Sequence, residues 1–328
     1  MTAYLVTVLV IVAIAILVGL ALNIQWGCAG LVNFGVVGFV ALGAYATALL
    51  TPVAGWFPAM LAAAASTALL SVLIALLSIR LADDYLAIVT LGFGEAVRLV
   101  LLNEDWLTGG ALGIAGIARP FSGLVAPQHA DLALLGFALA LVAIVYLVLE
   151  ALVRSPLGRV LRAVRDDPVV AASLAKPVLI LRIKAFAVGG AVMGLAGALH
   201  AFHMTYIDPS QFTAITTSYA FMAVIAGGRG SNPGLLIGAG TIMLLLEGTR
   251  FLKDLIPALD GAQIAALRLG GVGVGIVALL LLRPQGLLRE PRRTAASLLA
   301  DAGRADAPPA ASRVDAADHG PPASPQEI

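Results

Sequence analysis

The sequence predicts an all-α integral membrane protein, a polytopic bundle of about nine transmembrane segments, some broken or half-spanning. Three observations predict it. Hydrophobic residues make up 60% of the 328-residue chain and charged residues 12%, against roughly 45–50% and 25% in soluble domains. The apolar residues come in long runs separated by short polar stretches, the pattern of side chains solvated by lipid. The basic residues, nearly cancelled to a net charge of +1, cluster at two places beside those runs.

A spanning helix needs about 20 mostly apolar residues. In chain order the qualifying runs are Ala3–Leu22, Gly30–Leu50, Phe57–Ile79, Tyr85–Leu102, Ala130–Glu150, Ala185–Tyr206 and Ile264–Leu282. A further apolar region, Ser218 to Lys253, is broken by Gly227-Gly228-Arg229-Gly230-Ser231-Asn232-Pro233-Gly234, so it reads as two shorter segments. The first run has no basic region before it and no small-residue cleavage site after it, so it reads as a retained span. From about Arg289 the chain turns rich in Ala, Pro, Asp and Arg. The expected division is a membrane domain, 1–288, and a disordered cytoplasmic tail, 289–328.

Orientation follows from the positive-inside rule. The stretch after Glu150 carries Arg154, Arg159, Arg162, Arg165, Lys176, Arg182 and Lys184, and the stretch after Leu282 carries Arg283, Arg289, Arg292 and Arg293. Both are expected in the cytoplasm, with the stretches 103–129, whose only basic residues are Arg119 and His129, and 207–217, which has none, outside. Basic residues beside spans, rather than along a groove, exclude nucleic-acid binding. The single cysteine, Cys28, excludes an intrachain disulfide and a thiol-rich metal site. His200 and His203 share a helical face, without a third ligand at metal spacing.

Several segments are more than lipid anchors. Gly27-Cys28-Ala29-Gly30-Leu31-Val32-Asn33-Phe34-Gly35 opens the second run, and Gly227, Gly228, Gly230 and Ser231 break a later one. Such glycines either let helices pack closely or leave backbone facing a polar path, and both readings stay open for each segment. Glu95 lies midway along its run with Arg98 one turn on, either lining a polar path or forming a structural ion pair. Glu247 and Arg250 repeat that spacing nearer a span end. In the basic loop, 154–184, Asp167 is placed to cap a short helix with Pro168 at its first position. That helix, Pro168 to Leu174, suits a knob docking into a partner's groove.

At these residues the chain resembles the branched-chain amino acid ABC transporter permease family, in particular its LivM type. The blocks that carry the resemblance are Gly27–Gly30 with Asn33–Gly35 and Gly43–Tyr45, then Asp84–Glu95 with Arg98, Leu107–Gly110 and Gly113–Ile114. They continue with Gly158–Leu174, Lys184–Phe186 and Gly194–Leu199, and end with Gly227–Ser231, Pro233–Gly234 and Arg283–Leu287. The resemblance implies a multi-pass inner-membrane importer subunit with a cytoplasmic C-terminus. It would pair with a homologous LivH-type permease, be driven by two cytoplasmic ATPases, and be fed by a periplasmic or lipid-anchored binding protein. Arg162, Arg165, Asp166, Asp167, Pro168, Ala171, Ala172 and Leu174 would then form the ATPase-coupling surface. Asn33, Phe34, Gly35, Thr90 and Glu95 would line or support the substrate path. Urea and short-amide permeases share much of this pattern.

The chain carries no cofactor site of its own. None of Lys176, Lys184 and Lys253 sits in a phosphate-binding loop, so ATP and magnesium would belong to the partner subunits. It departs from the family pattern at Val36-Val37, where His or Gln often follows the glycine, and at Ala175-Lys176-Pro177, where Gly-Ile is usual. An ion-coupled secondary transporter would need titrating intramembrane carboxylates, with Glu95 the central candidate. It would leave the capped basic loop without a purpose. An intramembrane hydrolase pairing Ser231 with His200 or His203 is disfavoured, because those residues fall at opposite ends of their spans.

Overall fold

The computed structural model describes residues 2–78, 83–123, 125–255, 263, 270–271, 273–275, 277, 281 and 286–288. Expectations for the Ile264–Leu282 span as a whole, the Glu247 and Arg250 side chains and the 289–328 tail lie outside that description.

The chain is an all-α bundle. α1 (Thr2–Leu22) runs into a wider π-helical turn, Asn23–Cys28. Then follow α2 (Val36–Ala54), α3 (Trp56–Ser78), α4 (Asp83–Asn103) and the single turn α5 (Asp105–Thr108). After β1 (Ile114–Ala115) come α6 (Ala130–Arg154), α7 (Pro156–Asp166), α8 (Pro168–Ser173) and α9 (Val178–Met204). β2 (Tyr206–Ile207), α10 (Ala214–Gly227) and α11 (Asn232–Leu255) complete the described elements. Among the described residues, α1, α2, α3, α4, α6 and α9 are long and apolar enough to cross a membrane, six spans in all. The glycine break separates α10 from α11, as the sequence predicts.

Two boundaries differ from the sequence reading. The second span begins at Val36, not Gly30. Gly30 adopts φ +78°, and the Asn33 side chain accepts the Gly35 N–H, so the chain between them leaves helical geometry. α9 begins at Val178, seven residues before the apolar run does, and carries Arg182 and Lys184 within the helix. A helix can continue beyond the bilayer with its basic side chains in water or headgroups, so hydropathy marks the lipid boundary rather than the helix end.

α2 sits at the centre, against α3, α4 and α9. A Cβ built on Gly43 would lie 2.6 Å from the Gly194 Cα of α9, and one on Gly38 would lie 2.8 Å from the Gly94 Cα of α4. Small residues bring the backbones together because lipid supplies no hydrophobic drive between helices; contact itself has to hold them. Leu17, Leu20, Phe39, Phe186, Met193, Leu199 and Phe202 fill the space around these crossings, all fully buried.

The bundle has two distinct ends. α7 and α8 lie at one, together with the π-helical turn and the turn at 228–231. Leu287 and Leu288 donate their N–H groups to Ala226 and Gly227 there, which brings the end of the described chain to the basic side. At the other end β1 pairs antiparallel with β2, Ile114 opposite Ile207 and Ala115 opposite Tyr206.

Replacing Gly43 by Val should lower stability by about 1–3 kcal/mol through overpacking at the α2–α9 crossing. Gly136→Val on α6, where a Cβ meets nothing within 4 Å, should change it by less than about 0.5 kcal/mol. Thermal unfolding of the two variants in detergent measures the contrast.

Candidate functional site

The π-helical turn, the non-helical stretch 29–35 and the turn 228–231 expose backbone groups that no helix satisfies. Two buried amides accept backbone N–H groups at the breaks, Asn23 from Gly230 and Asn33 from Gly35, and Gln25 and Asn232 join them to neighbouring helices. Asn23 donates to Asn232 Oδ1 and accepts the Gly230 N–H, each at 2.9 Å. Asn232 donates to Glu150 Oε2 at 2.9 Å, which reaches the basic end of α6. Gln25 donates to the Phe186 carbonyl of α9 at 3.0 Å and accepts from Asn33 at 2.9 Å. Asn33 in turn accepts the Gly35 N–H at 2.9 Å. Asn23, Gln25 and Asn33 are fully buried and Asn232 nearly so. In a medium without water each unsatisfied group would be costly, so these two sets of amides help to fix where the helices break.

Asn33 and Thr90, both expected along the substrate path, are buried inside the chain. Thr90 accepts the Phe34 N–H at 3.0 Å while its own hydroxyl lies 2.9 Å from the Leu86 carbonyl. Gly35 packs against the Thr90 carbonyl, too close for any side chain. Together these residues hold Phe34, whose ring is partly exposed and stacks on Phe221 at 4.7 Å. Trp26 contacts the same Phe221 ring at 5.0 Å, and the Arg229 guanidinium lies over Trp26 at 5.2 Å. Phe34 is thus presented to the surface, with Asn33, Gly35 and Thr90 as its supports. Glu95 lies elsewhere, on the face of α4 turned away from α2, where it forms an ion pair with Arg98. An ionised group at mid-span costs roughly 2.5–3.5 kcal/mol on insertion scales.

At the basic end, Ser155 caps α7 and Asp167 caps α8, accepting the Val169 and Val170 N–H groups at 2.9 and 3.0 Å. Pro156 and Pro168 take the first helical positions, where a missing N–H costs nothing. α8 closes through Ala175 at φ 55°, with Lys176 N–H on the Ala171 carbonyl and Ala175 N–H on the Ala172 carbonyl. This closing turn normally takes glycine at the left-handed position. Alanine therefore reproduces the turn here at a conformational cost.

The structure divides the residues expected to form the coupling surface. Ala171 is buried, and Arg165 turns inward to donate to the Gly27 carbonyl of the π-helical turn. Arg162, on the same helix, is half-buried. Asp166, Ala172 and Leu174 face out, beside Val169 at 76% and Val170 at 53% exposure. Arg165 thereby ties the exposed apolar knob to the end of α1. Asn23, Gln25, Glu150 and Asn232 belong to the site but escape sequence reasoning. The available signal is the pair of amides, Asn23 and Gln25, directly after a long uncharged run.

Ser231 accepts the Gly234 N–H at the basic end, whereas His200 bonds Gln211 beyond the far end of α9. The two therefore do not form a nucleophile–base pair. Among the described residues no cluster of His, Cys, Asp and Glu could hold a metal ion.

A bundle of lipid-length helices with a glycine break and a capped hairpin outside the spans defines a polytopic membrane protein. The chain belongs to the family described as branched-chain amino acid transport system / permease component, matched over residues 4–282. It is 33% identical over 286 residues to the high-affinity branched-chain amino acid transport system permease protein LivM of Escherichia coli (strain K12), covering 80% of this chain and 64% of that protein. The protein of the same name from Salmonella typhimurium is 34% identical over 287 residues, with the same shares covered. The probable branched-chain amino acid transport permease protein LivM of Methanocaldococcus jannaschii is 30% identical over 216 residues, 65% of this chain and 62% of that one. The chain thus spans less than two-thirds of the length of these relatives. No solved structure matches it. The family is one of transport permeases rather than enzymes.

Asn23→Ala would strand the Gly230 N–H and one bond of Asn232, and should cost about 1–3 kcal/mol. Asn103→Ala, which removes only an exposed bond to the Leu99 carbonyl, should cost less than about 0.5 kcal/mol. Thermal unfolding compares them. Ala175→Gly should stabilise α8 by about 0.5–1 kcal/mol, relief of the left-handed strain outweighing the greater freedom of glycine when unfolded. Slower amide hydrogen exchange across Val169–Lys176 would show it.

Proposed function

We propose that this chain is a permease subunit of an ABC importer that carries branched-chain amino acids across the bacterial inner membrane. The observation that carries the reading is α8, a short capped helix outside the spans. It presents Val169, Val170 and Leu174 outward and is anchored through Arg165 to the end of α1. An exposed apolar knob of this kind suits the groove of a soluble partner. In this reading Asp166–Leu174 docks on one of two cytoplasmic ATPases, which hold the ATP and magnesium.

The concentration of basic residues around α7 and α8 supports a cytoplasmic position for that end. Leu287 and Leu288 bond to Ala226 and Gly227 at that same end. A homologous permease, LivH-like in its resemblance, completes the transmembrane unit, and a periplasmic or lipid-anchored binding protein delivers the solute at the opposite end. Closure of the ATPase dimer would pull α8, and Arg165 would pass the movement to the π-helical turn and the stretch that holds Phe34. The spans would rock between the two openings. Phe34 and Glu95 border the solute's route, and Asn33, Gly35, Thr90 and the 227–231 backbone hold it in shape.

Labelled leucine uptake tests the substrate, in cells with and without the gene and with unlabelled valine, urea and glutamate as competitors. Deletion should abolish the saturable component, and valine alone should compete. Competition by urea instead would move the chain to the short-amide permeases of the same importer class. Val169→Asp, with membrane abundance unchanged, should cut uptake more than about tenfold, the loss expected when a central docking residue contributes 2 kcal/mol or more.

A further inference from the structure

The hairpin that carries α8 is joined to the bundle at two points. Arg165 on α7 reaches the Gly27 carbonyl, and Glu150, one turn before the end of α6, reaches Asn232 at the start of α11. The Glu150 side chain is 17% exposed, and its two oxygens are divided. Oε1 accepts from Arg154 at 2.7 Å on the exposed side, and Oε2 accepts from the Asn232 amide at 2.9 Å on the buried side.

A carboxylate accepts hydrogen bonds and donates none. Glu150 therefore sets the direction of every bond behind it. Asn232 has to turn its NH2 to Glu150, which leaves its Oδ1 for the Asn23 NH2, which in turn leaves the Asn23 Oδ1 for the Gly230 N–H. The far end of the series is a backbone N–H, which only donates, so both ends demand the same direction. Asn232 turned over would set oxygen against oxygen at Glu150 and donor against donor at Asn23.

The turn held in this way, 228–231, is where α10 ends, and α10 carries Phe221. Gly27, held by Arg165, leads through the stretch 29–35 to Phe34. Phe34 and Phe221 stack on each other at 4.7 Å. The two joins of the hairpin thus lead to opposite rings of one stacked pair.

We propose that Glu150 is a positioning residue for transport. By fixing the direction of the Asn232–Asn23 series, it makes the 228–231 turn, α10 and Phe221 follow the hairpin in step with Phe34. This role rests on the importer reading, in which the hairpin receives the movement of the ATPase, and it adds a second point of transmission beside Arg165. Without the carboxylate Asn232 is free to turn over, α10 lags behind the end of α1, and ATP is hydrolysed with less solute carried.

The test uses the whole transporter in proteoliposomes, with its ATPases and binding protein. Solute taken up and ATP hydrolysed are measured in the same vesicles, with leucine as the solute, or urea if the wild type carries that instead. Glu150→Leu should lower the solute carried per ATP by about tenfold. Glu150→Gln keeps an oxygen for Asn232 and loses only the exposed pair with Arg154, so it should stay within about twofold of the wild type. Asn232→Ala removes the same bond from its other side, and repeats the test if Glu150→Leu fails to accumulate. An unchanged ratio in the leucine variant, even with a lower melting temperature, would show a purely structural bond and overturn the proposal. An equal loss in the glutamine variant would overturn it too, since the bond to Asn232 would then not be what matters. Either result leaves the importer reading standing while wild-type uptake requires ATP. Wild-type uptake that proceeds equally well without ATP would overturn both.

Discussion

The constraint on which the rest of this structure depends is that backbone removed from water must find a hydrogen-bond partner inside the protein. Continuous helices meet it automatically; this chain breaks its helices at 29–35 and 228–231, and cannot. The amides of Asn23 and Asn33 accept the Gly230 and Gly35 N–H groups at those breaks, and Gln25 and Asn232 bond onward to α9 and α6. The end of α1 is thereby tied to α6, α9, the start of α11 and the stretch before α2. One polar cluster sets the relative position of most of the bundle at its basic end, where apolar packing alone would leave the helices free to slide.

Close glycine contacts work with that cluster. The α2–α9 crossing at Gly43 and Gly194 and the α2–α4 crossing at Gly38 and Gly94 bring backbones into direct contact. Surfaces of this kind have few alternative registers, since a shift of one residue would drive a side chain into a backbone. The basic end is held by directed hydrogen bonds and the middle by close fit. A displacement applied at α8 would therefore travel as a rigid movement of several helices, not as local bending, because Arg165 joins α7 to the same π-helical turn that the amides hold.

Much of this was legible in the sequence where the signal is local. Apolar runs mark the spans, the Gly227–Gly234 stretch marks the break between α10 and α11, and Asp167-Pro168 marks the start of α8. What was not legible depends on partners far along the chain. Asn23 meets Asn232 across 209 residues and Gln25 meets Phe186 across 161. Nothing local distinguishes such amides from polar residues at a lipid boundary. The same limit explains Asn33 and Thr90, polar residues in apolar runs that could face a path or each other's backbones; here they are turned inward. Arg165 is the clearest instance, since its neighbours Asp166 and Asp167 are exposed and only the fold turns it to Gly27.

The distribution of charge also bears on how transport is energised. A carrier driven by protons needs a carboxylate that can gain and lose its charge within the span at modest cost. Glu95 sits at mid-span but is bonded through both oxygens to Arg98 on its own helix. Neutralising it would leave the guanidinium as an uncompensated charge in the membrane, a worse state than the pair. The pair therefore suits a fixed structural element better than a titrating one. The features that look built to receive work lie at the basic end instead. There an exposed apolar helix is capped at its start, closed by a tight turn and tied inward through Arg165 on the preceding helix. Energy delivered at that end by a separate subunit fits both halves of this arrangement, the rigid span and the exposed handle.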